Sequence, residues 1–266
     1  MLGNSVAVNH QRRESWIARY KPKPEVPMKP GKDYIIFPLD VSSREEAVKY
    51  VSVLKDEVGL FKVGLELFIS EGPAILKTIR EITGAGIFLD LKLHDIPETM
   101  RRAFFTAAQY QPEFVTVHCD QGEGMLKEVA RNNPGNTKIL AITLLTSINT
   151  GNLATLGYKD HYVNDLSALV LLRASIAREA GCQGVVCSGK EVARIKKEMP
   201  GLIAVTPGIR PAWSVVGQDD QKRVVTPSEA VKNGADYIVV GRPIRDAKSP
   251  ADAAKKTAEE IESALG

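Results

Sequence analysis

Five charged side chains stand at the ends of otherwise apolar, strand-like segments: Asp40, Lys62, Asp90, Lys92 and Asp95. Three of them share one stretch, Gly86-Ile-Phe-Leu-Asp-Leu-Lys-Leu-His-Asp-Ile-Pro-Glu-Thr99. Its apolar residues Ile87, Phe88, Leu89, Leu91 and Leu93 predict a strand, and Pro97 suits the first turn of a helix. Positions i and i+2 of a strand share a face, so Asp90 and Lys92 are expected to point the same way, roughly 6–7 Å apart. An acid and an amine in so apolar a strand must pair to be buried. Such a pair has two possible uses. One is a structural ion pair, with Asp95 capping the helix that follows. The other is functional, a charge pair kept at a strand end to act on a ligand.

The elements that must position these groups follow one rhythm from Asp33 onward. Apolar strand patterns cover 34–40, 60–64, 86–93, 113–118, 137–145, 184–187, 202–206 and 236–240. Helical patterns lie between them at 43–58, 71–83, 97–110, 122–132, 162–180, 189–198, 227–233 and 250–265. Helix-start signals agree, with Ser42 or Ser43 ahead of Glu45 and Glu46, and Thr226-Pro-Ser-Glu229. Short, continuously apolar strands fit a parallel sheet covered by helices. The repetition predicts an α/β protein with a closed (β/α)8 TIM barrel as a single domain over 31–266, in preference to an open doubly wound sheet. No Gly-x-Gly-x-x-Gly follows the first strand, which weakens a dinucleotide-binding reading. Residues 1–30 read as an extended or disordered tail, because four prolines fall between Lys21 and Pro30.

A barrel of this kind carries its chemistry at the C-terminal ends of the strands. Asp40, Lys62, Asp90 and Lys92 fall there on strands 1 to 3, as do His118 and Asp120, Thr146, Ser188, Arg210 and Gly241-Arg242 on strands 4 to 8. Neighbouring strands lie about 4.8 Å apart, so the first four would form one cluster of alternating charge. Four charges on three adjacent strand ends favour the functional reading of the pair. Gly241 and Arg242 sit where barrels bind phosphate, through a close backbone and a forked cation, although a tight turn with a surface arginine has the same sequence. The aperiodic stretch of about sixteen residues after Arg210 reads as a lid or binding loop, with Gly208 and Gly217 as hinges and Gln218 or Gln221 reaching a phosphate. His118-Cys-Asp120 offers a metal site, or a strand-end histidine in the core or near the ligand. The Leu153–Tyr162 stretch reads as an extra loop without a role.

Composition narrows the function classes. The 266 residues are 25% charged and 44% hydrophobic with a net charge of +3, which gives no case for a nucleic-acid partner. No apolar run approaches the ~18 residues that span a membrane. Arg12, Arg13 and Glu14 stand where a signal peptide would be apolar. Cys119, Cys182 and Cys187 are odd in number and unclustered, as expected of reduced thiols in a cytoplasmic protein.

The combined motifs resemble those of the orotidine 5′-monophosphate decarboxylase family over residues 33–265. The resemblance is carried by Leu39-Asp40, Phe61-Lys-Val-Gly64, Phe88-Leu-Asp-Leu-Lys-Leu-His-Asp-Ile-Pro97-x-Thr99, Leu145-Thr-Ser147, Gly184-Val-Val-Cys-Ser188, Val205-Thr-Pro-Gly-Ile-Arg210 and Val240-Gly-Arg-Pro243. It implies conversion of orotidine monophosphate to uridine monophosphate and CO2, the last step of de novo pyrimidine synthesis, without metal or organic cofactor. It assigns Lys92 as proton donor to C6 of the pyrimidine and Asp90 as the carboxylate beside the substrate's own. Lys62 is implied to tie the ribose to Asp90, and Asp40 to bind a ribose hydroxyl. Asp95, Ile96 and Thr99 are implied to cross a homodimer interface, and Thr146 to lie beside the pyrimidine. Arg210, Gln221, Gly241 and Arg242 are implied to grip phosphate, with Gln221 preferred to Gln218. Related metal-dependent phosphosugar lyases share the strand-3 motif but carry a glutamate where Lys62 stands, and a lysine there repels Mg²⁺. A non-catalytic nucleotide-phosphate-binding barrel is the reading from another class, and the intact Asp90, Lys92, Asp95 set argues against it.

Overall fold

The computed structural model describes residues 29–214 and 223–266. Most of the expected tail, with Gly217, Gln218 and Gln221, therefore lies outside the described residues. Eight parallel strands close on themselves in sequence order: β1 Ile35–Pro38, β2 Leu60–Val63, β3 Gly86–Leu93, β4 Phe114–His118, β5 Lys138–Ile142, β6 Gly184–Val186, β7 Ile203–Thr206 and β8 Tyr237–Val239. The expected (β/α)8 barrel is present. Helices follow the strands: α1 Arg44–Leu54, α2 Leu65–Glu71, α3 Ala74–Ile82, α4 Pro97–Gln109, α5 Glu123–Arg131, α6 Thr150–Thr155, α7 Asp160–Asn164, α8 Leu166–Glu179, α9 Val192–Glu198, α10 Pro227–Lys232, α11 Arg242–Arg245 and α12 Pro250–Leu265. Ser43 caps α1, and Thr226 with Glu229 closes a reciprocal box at α10.

Strand periodicity sorts the core into two layers. Ile36, Leu60, Phe88, Phe114, Leu140 and Val205 fill the barrel interior, whereas Phe37, Phe61, Ile87, Val115, Ile139 and Val185 face outward to the helices. Phe114 is fully buried and meets Phe88 and Tyr237 edge-on, with ring centroids 5.9 Å and 5.2 Å away. Gly184 belongs to this layer because a Cβ there would come within 2.7 Å of Ile203 and Leu140. Below it, the Lys29 ammonium lies 3.8 Å and 4.0 Å from the Tyr34 and Tyr237 ring centres and donates to the Asp236 carbonyl at 2.7 Å. Burial lowers its pKa to about 8 against the pull of Asp236 and Asp33.

Three expectations are corrected. The helix expected over 71–83 starts later, as α3 over Ala74–Ile82, and a separate helix, α2 over Leu65–Glu71, precedes it where no helix was expected; Gly72, with a φ of 63°, and Pro73 part the two. The Leu153–Tyr162 stretch is largely helical, in α6 and α7, with Asn149 and Asn152 forming a capping box. Strand β5 ends at Ile142, and Thr143 turns its hydroxyl onto the Val186 carbonyl at 2.8 Å. Phe114→Ala removes the centre of the interior layer and is expected to cost about 3–5 kcal/mol of unfolding free energy in urea titration. A loss below about 1 kcal/mol would mean that this layer repacks freely.

Candidate active site

The inward alternation that fills the barrel also delivers its charges. Lys62, Asp90 and Thr116 are the next inward positions above Leu60, Phe88 and Phe114, on β2, β3 and β4. Asp40 follows β1 beside them. The expected cluster is assembled as a chain: Asp40 Oδ1 lies 3.0 Å from Lys62 Nζ, Lys62 Nζ 3.5 Å from Asp90 Oδ2, and Asp90 Oδ2 2.7 Å from Lys92 Nζ. Thr116, fully buried, donates its hydroxyl to Asp90 Oδ1 at 2.9 Å and accepts the Lys92 backbone N–H at 2.8 Å.

Simple strand alternation does not account for the position of Lys92. Leu89 pairs with Val115 and Leu93 with Val117, so Asp90, Leu91 and Lys92 face the single residue Thr116. This is a bulge, and Lys92 takes a φ of 49°, a left-handed conformation that is uncommon outside glycine. The Thr116 hydroxyl holds both ends of the bulge, through the Asp90 side chain and the Lys92 backbone. Thr116 was missed in the sequence. Its only signal there was a polar residue at an inward position of Phe114-Val-Thr-Val-His118.

Asp90 is 6% and Lys62 9% exposed, so both depend on their partners for solvation. Burial disfavours the Lys62 ammonium, but Asp90 and Asp40 outweigh it and hold the pKa above the ordinary lysine value. Burial likewise disfavours the Asp90 carboxylate. Lys62, Lys92 and the Thr116 hydroxyl outweigh it and hold the pKa below the ordinary aspartate value.

The cluster forms one wall of a cavity of about 480 Å³ at the C-terminal end of the barrel. Arg210, Gly241 and Arg242 line it after β7 and β8, Thr146 lines it after β5, and Phe88, Ile142, Leu144 and Val186 are among its apolar lining residues. Gly241 is close enough to Pro38 that a Cβ would come within 3.1 Å. Gly208 adopts a φ of 77°, and the loop base is closed by the Arg210 N–H on the Val225 carbonyl at 2.9 Å and the Val225 N–H on the Gly208 carbonyl at 3.2 Å. Arg245, which the sequence reading did not single out, lines the same cavity.

Asp95, Ile96 and Thr99 are exposed and do not line this chain's cavity. Asp95 Oδ1 accepts the Ile96 N–H at 2.7 Å, and no side chain caps α4, whose N-cap residue is Ile96. The alternative of Asp95 as the helix cap is not what the structure has. The metal reading of His118-Cys-Asp120 also gives way to an ion-pair network. His118 Nδ1 lies 3.2 Å from Asp120 Oδ2, and Arg173 pairs with the other carboxylate oxygen. Cys119, Cys182 and Cys187 are buried free thiols, and burial pushes Cys182 and Cys187 up to about 12.

Fold and site together define a (β/α)8-barrel enzyme with its cleft at the C-terminal face. Residues 33–257 match the family described as Orotidine 5'-phosphate decarboxylase / HUMPS. An orotidine 5'-phosphate decarboxylase of Desulfosudis oleivorans is 48% identical over 236 residues, 88% of this chain and 95% of that protein. The corresponding protein of Methylococcus capsulatus is 44% identical over 233 residues, 87% of this chain and 93% of that one. The crystal structure of orotidine 5'-phosphate decarboxylase from Lactobacillus acidophilus superposes with a TM-score of 0.73 at 33% identity, covering 85% of this chain and 98% of that one. The chain belongs to the Orotidine 5'-phosphate decarboxylase / HUMPS family.

The depressed Asp90 pKa sets a pH signature. Because the folded carboxyl lies below its unfolded value, the stability it contributes is complete above about pH 4 and is lost as pH falls through the folded value. Asp90→Asn should lower the thermal unfolding midpoint at pH 7, with the gap to the parent protein narrowing below about pH 4. A gap unchanged down to pH 2 would show that the Asp90 charge does not hold the cluster.

Proposed function

We propose that this protein decarboxylates orotidine 5′-monophosphate to uridine 5′-monophosphate, in the last step of de novo pyrimidine synthesis. The observation that carries the proposal is the Asp40–Lys62–Asp90–Lys92 chain facing a cavity that Arg210 and Arg242 also line. A nucleotide fits this polarity, with phosphate toward Arg210, Gly241 and Arg242, ribose at Asp40 and Lys62, and the pyrimidine near Lys92 and Thr146. Gln221 completes the phosphate grip in this reading.

Breaking the C6–carboxylate bond releases CO2 and leaves its electron pair on a vinylic carbon that the ring does not readily delocalise. The Lys92 ammonium stabilises that charge and transfers a proton to the same carbon. Asp90 anchors Lys92 and lies beside the substrate carboxylate. Phosphate binding by the loop after β7 expels water and commits remote binding energy to the reacting centre.

Lys62 supports this reading over that of a metal-dependent phosphosugar lyase. Its ammonium lies between the Asp40 and Asp90 carboxylates, where Mg²⁺ would need free oxygen ligands. The reading includes a homodimer that receives Asp95, Ile96 and Thr99 from the partner chain. Exposed apolar side chains support it: Ile96 of that strip is 66% and Ile69 of α2 77% exposed, with Leu65 of α2 and Phe105 of α4 also open. Buried, unbridged thiols fit a reducing cytoplasmic compartment.

The test is ultraviolet-monitored turnover of orotidine monophosphate by purified protein in EDTA. The proposal predicts full conversion in the chelator, and inactivity of folded protein overturns it. Lys92→Ala should lower kcat by about 10³-fold or more, and near-parental activity in that variant would remove Lys92 from the mechanism.

A further inference from the structure

A second polar network adjoins the site without lining its cavity. It begins at Arg173 on α8, whose side chain is 9% exposed. The guanidinium donates to the Thr143 carbonyl at 2.5 Å and the Tyr158 hydroxyl at 2.8 Å, and pairs with Asp120. Asp120 in turn holds His118 Nδ1 at 3.2 Å, and the His118 ring lies against the His94 ring with centroids 5.2 Å apart. The network thus runs from α8, the end of β5 and the turn after α6 to the short segment between Lys92 and Asp95.

We propose that His118 and His94 are positioning residues for Asp95, so that they act on the active site of the partner subunit and not on that of their own chain. The argument turns on what already holds each neighbour. Lys92 is fixed within its own chain by the Thr116 hydroxyl on its backbone and by Asp90 on its side chain. Asp95 is exposed, and its carboxylate accepts the N–H of the adjacent Ile96. That bond orients the carboxylate relative to the turn but does not fix the turn to the barrel. The His94 ring on His118 supplies the anchorage, and the Asp120–Arg173 pair fixes His118. Reach matters here, because a displacement of about 1 Å at a reacting centre can cost about 10²-fold in rate.

The inference rests on the proposed dimer, and one experiment separates the two. Heterodimers are isolated with different affinity tags on the two chains and assayed with orotidine monophosphate. In the control, Asp95→Ala is paired with Lys92→Ala. One of its two sites then carries both Lys92 and Asp95, and activity should return to about half of the parental value. Failure of that control overturns the shared site itself. With the control intact, His118→Ala is paired with Lys92→Ala. The His118→Ala homodimer should lose about tenfold or more in kcat, and the heterodimer should again recover to about half, because the working site takes its Asp95 from a chain with an intact His118. His94→Ala, at an exposed residue, should show the same loss and the same recovery. A fully active His118→Ala or His94→Ala homodimer overturns the inference. So does a heterodimer no better than the corresponding homodimer, since the histidines would then serve Lys92 within their own chain.

Discussion

A carboxylate 6% exposed at the top of a closed barrel keeps its charge only if its surroundings replace water, and Asp90 meets that demand with three groups. Lys62 and Lys92 supply positive charge, and Thr116 supplies a hydroxyl. Desolvating an ion costs several kcal/mol even after relaxation, so none of these partners is dispensable to the arrangement. The dependence is mutual. Lys62 is nearly as buried and is held charged by Asp90 and Asp40. The four charges and the hydroxyl are therefore one electrostatic unit spread over the ends of four adjacent strands.

The barrel makes this unit possible by its regularity and completes it by one irregularity. Inward alternation stacks Lys62, Asp90 and Thr116 above the aromatic layer of Phe88 and Phe114, whose packing closes the interior beneath them. Alternation alone would have kept β3 in step with β4. The bulge over Asp90–Lys92 places three residues against one and holds Lys92 in a backbone conformation that ordinarily costs energy. Thr116 bridges the bulge from β4, so the strain is stored where the Lys92 amine is presented.

The period of the sequence made the architecture legible. Eight apolar segments separated by helical patterns predicted the closed barrel, and strand-end positions predicted that Asp40, Lys62, Asp90 and Lys92 would meet. The features that escaped were those settled by contacts distant in sequence or by short elements. The bulge depends on Thr116, 24 residues from Lys92. Helices α2, α6 and α7 are too short to show a period, and Gly72 with Pro73 sets α2 apart from the helix expected over 71–83. The His118 network depends on Arg173, a residue that lies within an apolar helix and gives no local sign of its partners.

Charge balance explains why a site of this kind would be shared between chains. Within one chain, two carboxylates and two ammonium groups leave the Asp40–Lys62–Asp90–Lys92 unit neutral, which suits its burial. In the proposed reaction the substrate adds a carboxylate to that unit, and Asp95 from the partner adds another. Assembling Asp40, Asp90 and Asp95 together in a single folded monomer would place excess negative charge at the barrel mouth before any ligand bound. Supplying one of them from an exposed turn of a second chain, where water solvates it until association, moves that cost from folding to assembly. The exposed apolar residue Ile96, next to Asp95 in the turn, offers burial energy to offset it. On this argument the exposure of Asp95 in the single chain is the physical condition for bringing a further carboxylate to Lys92 without destabilising the barrel that presents it.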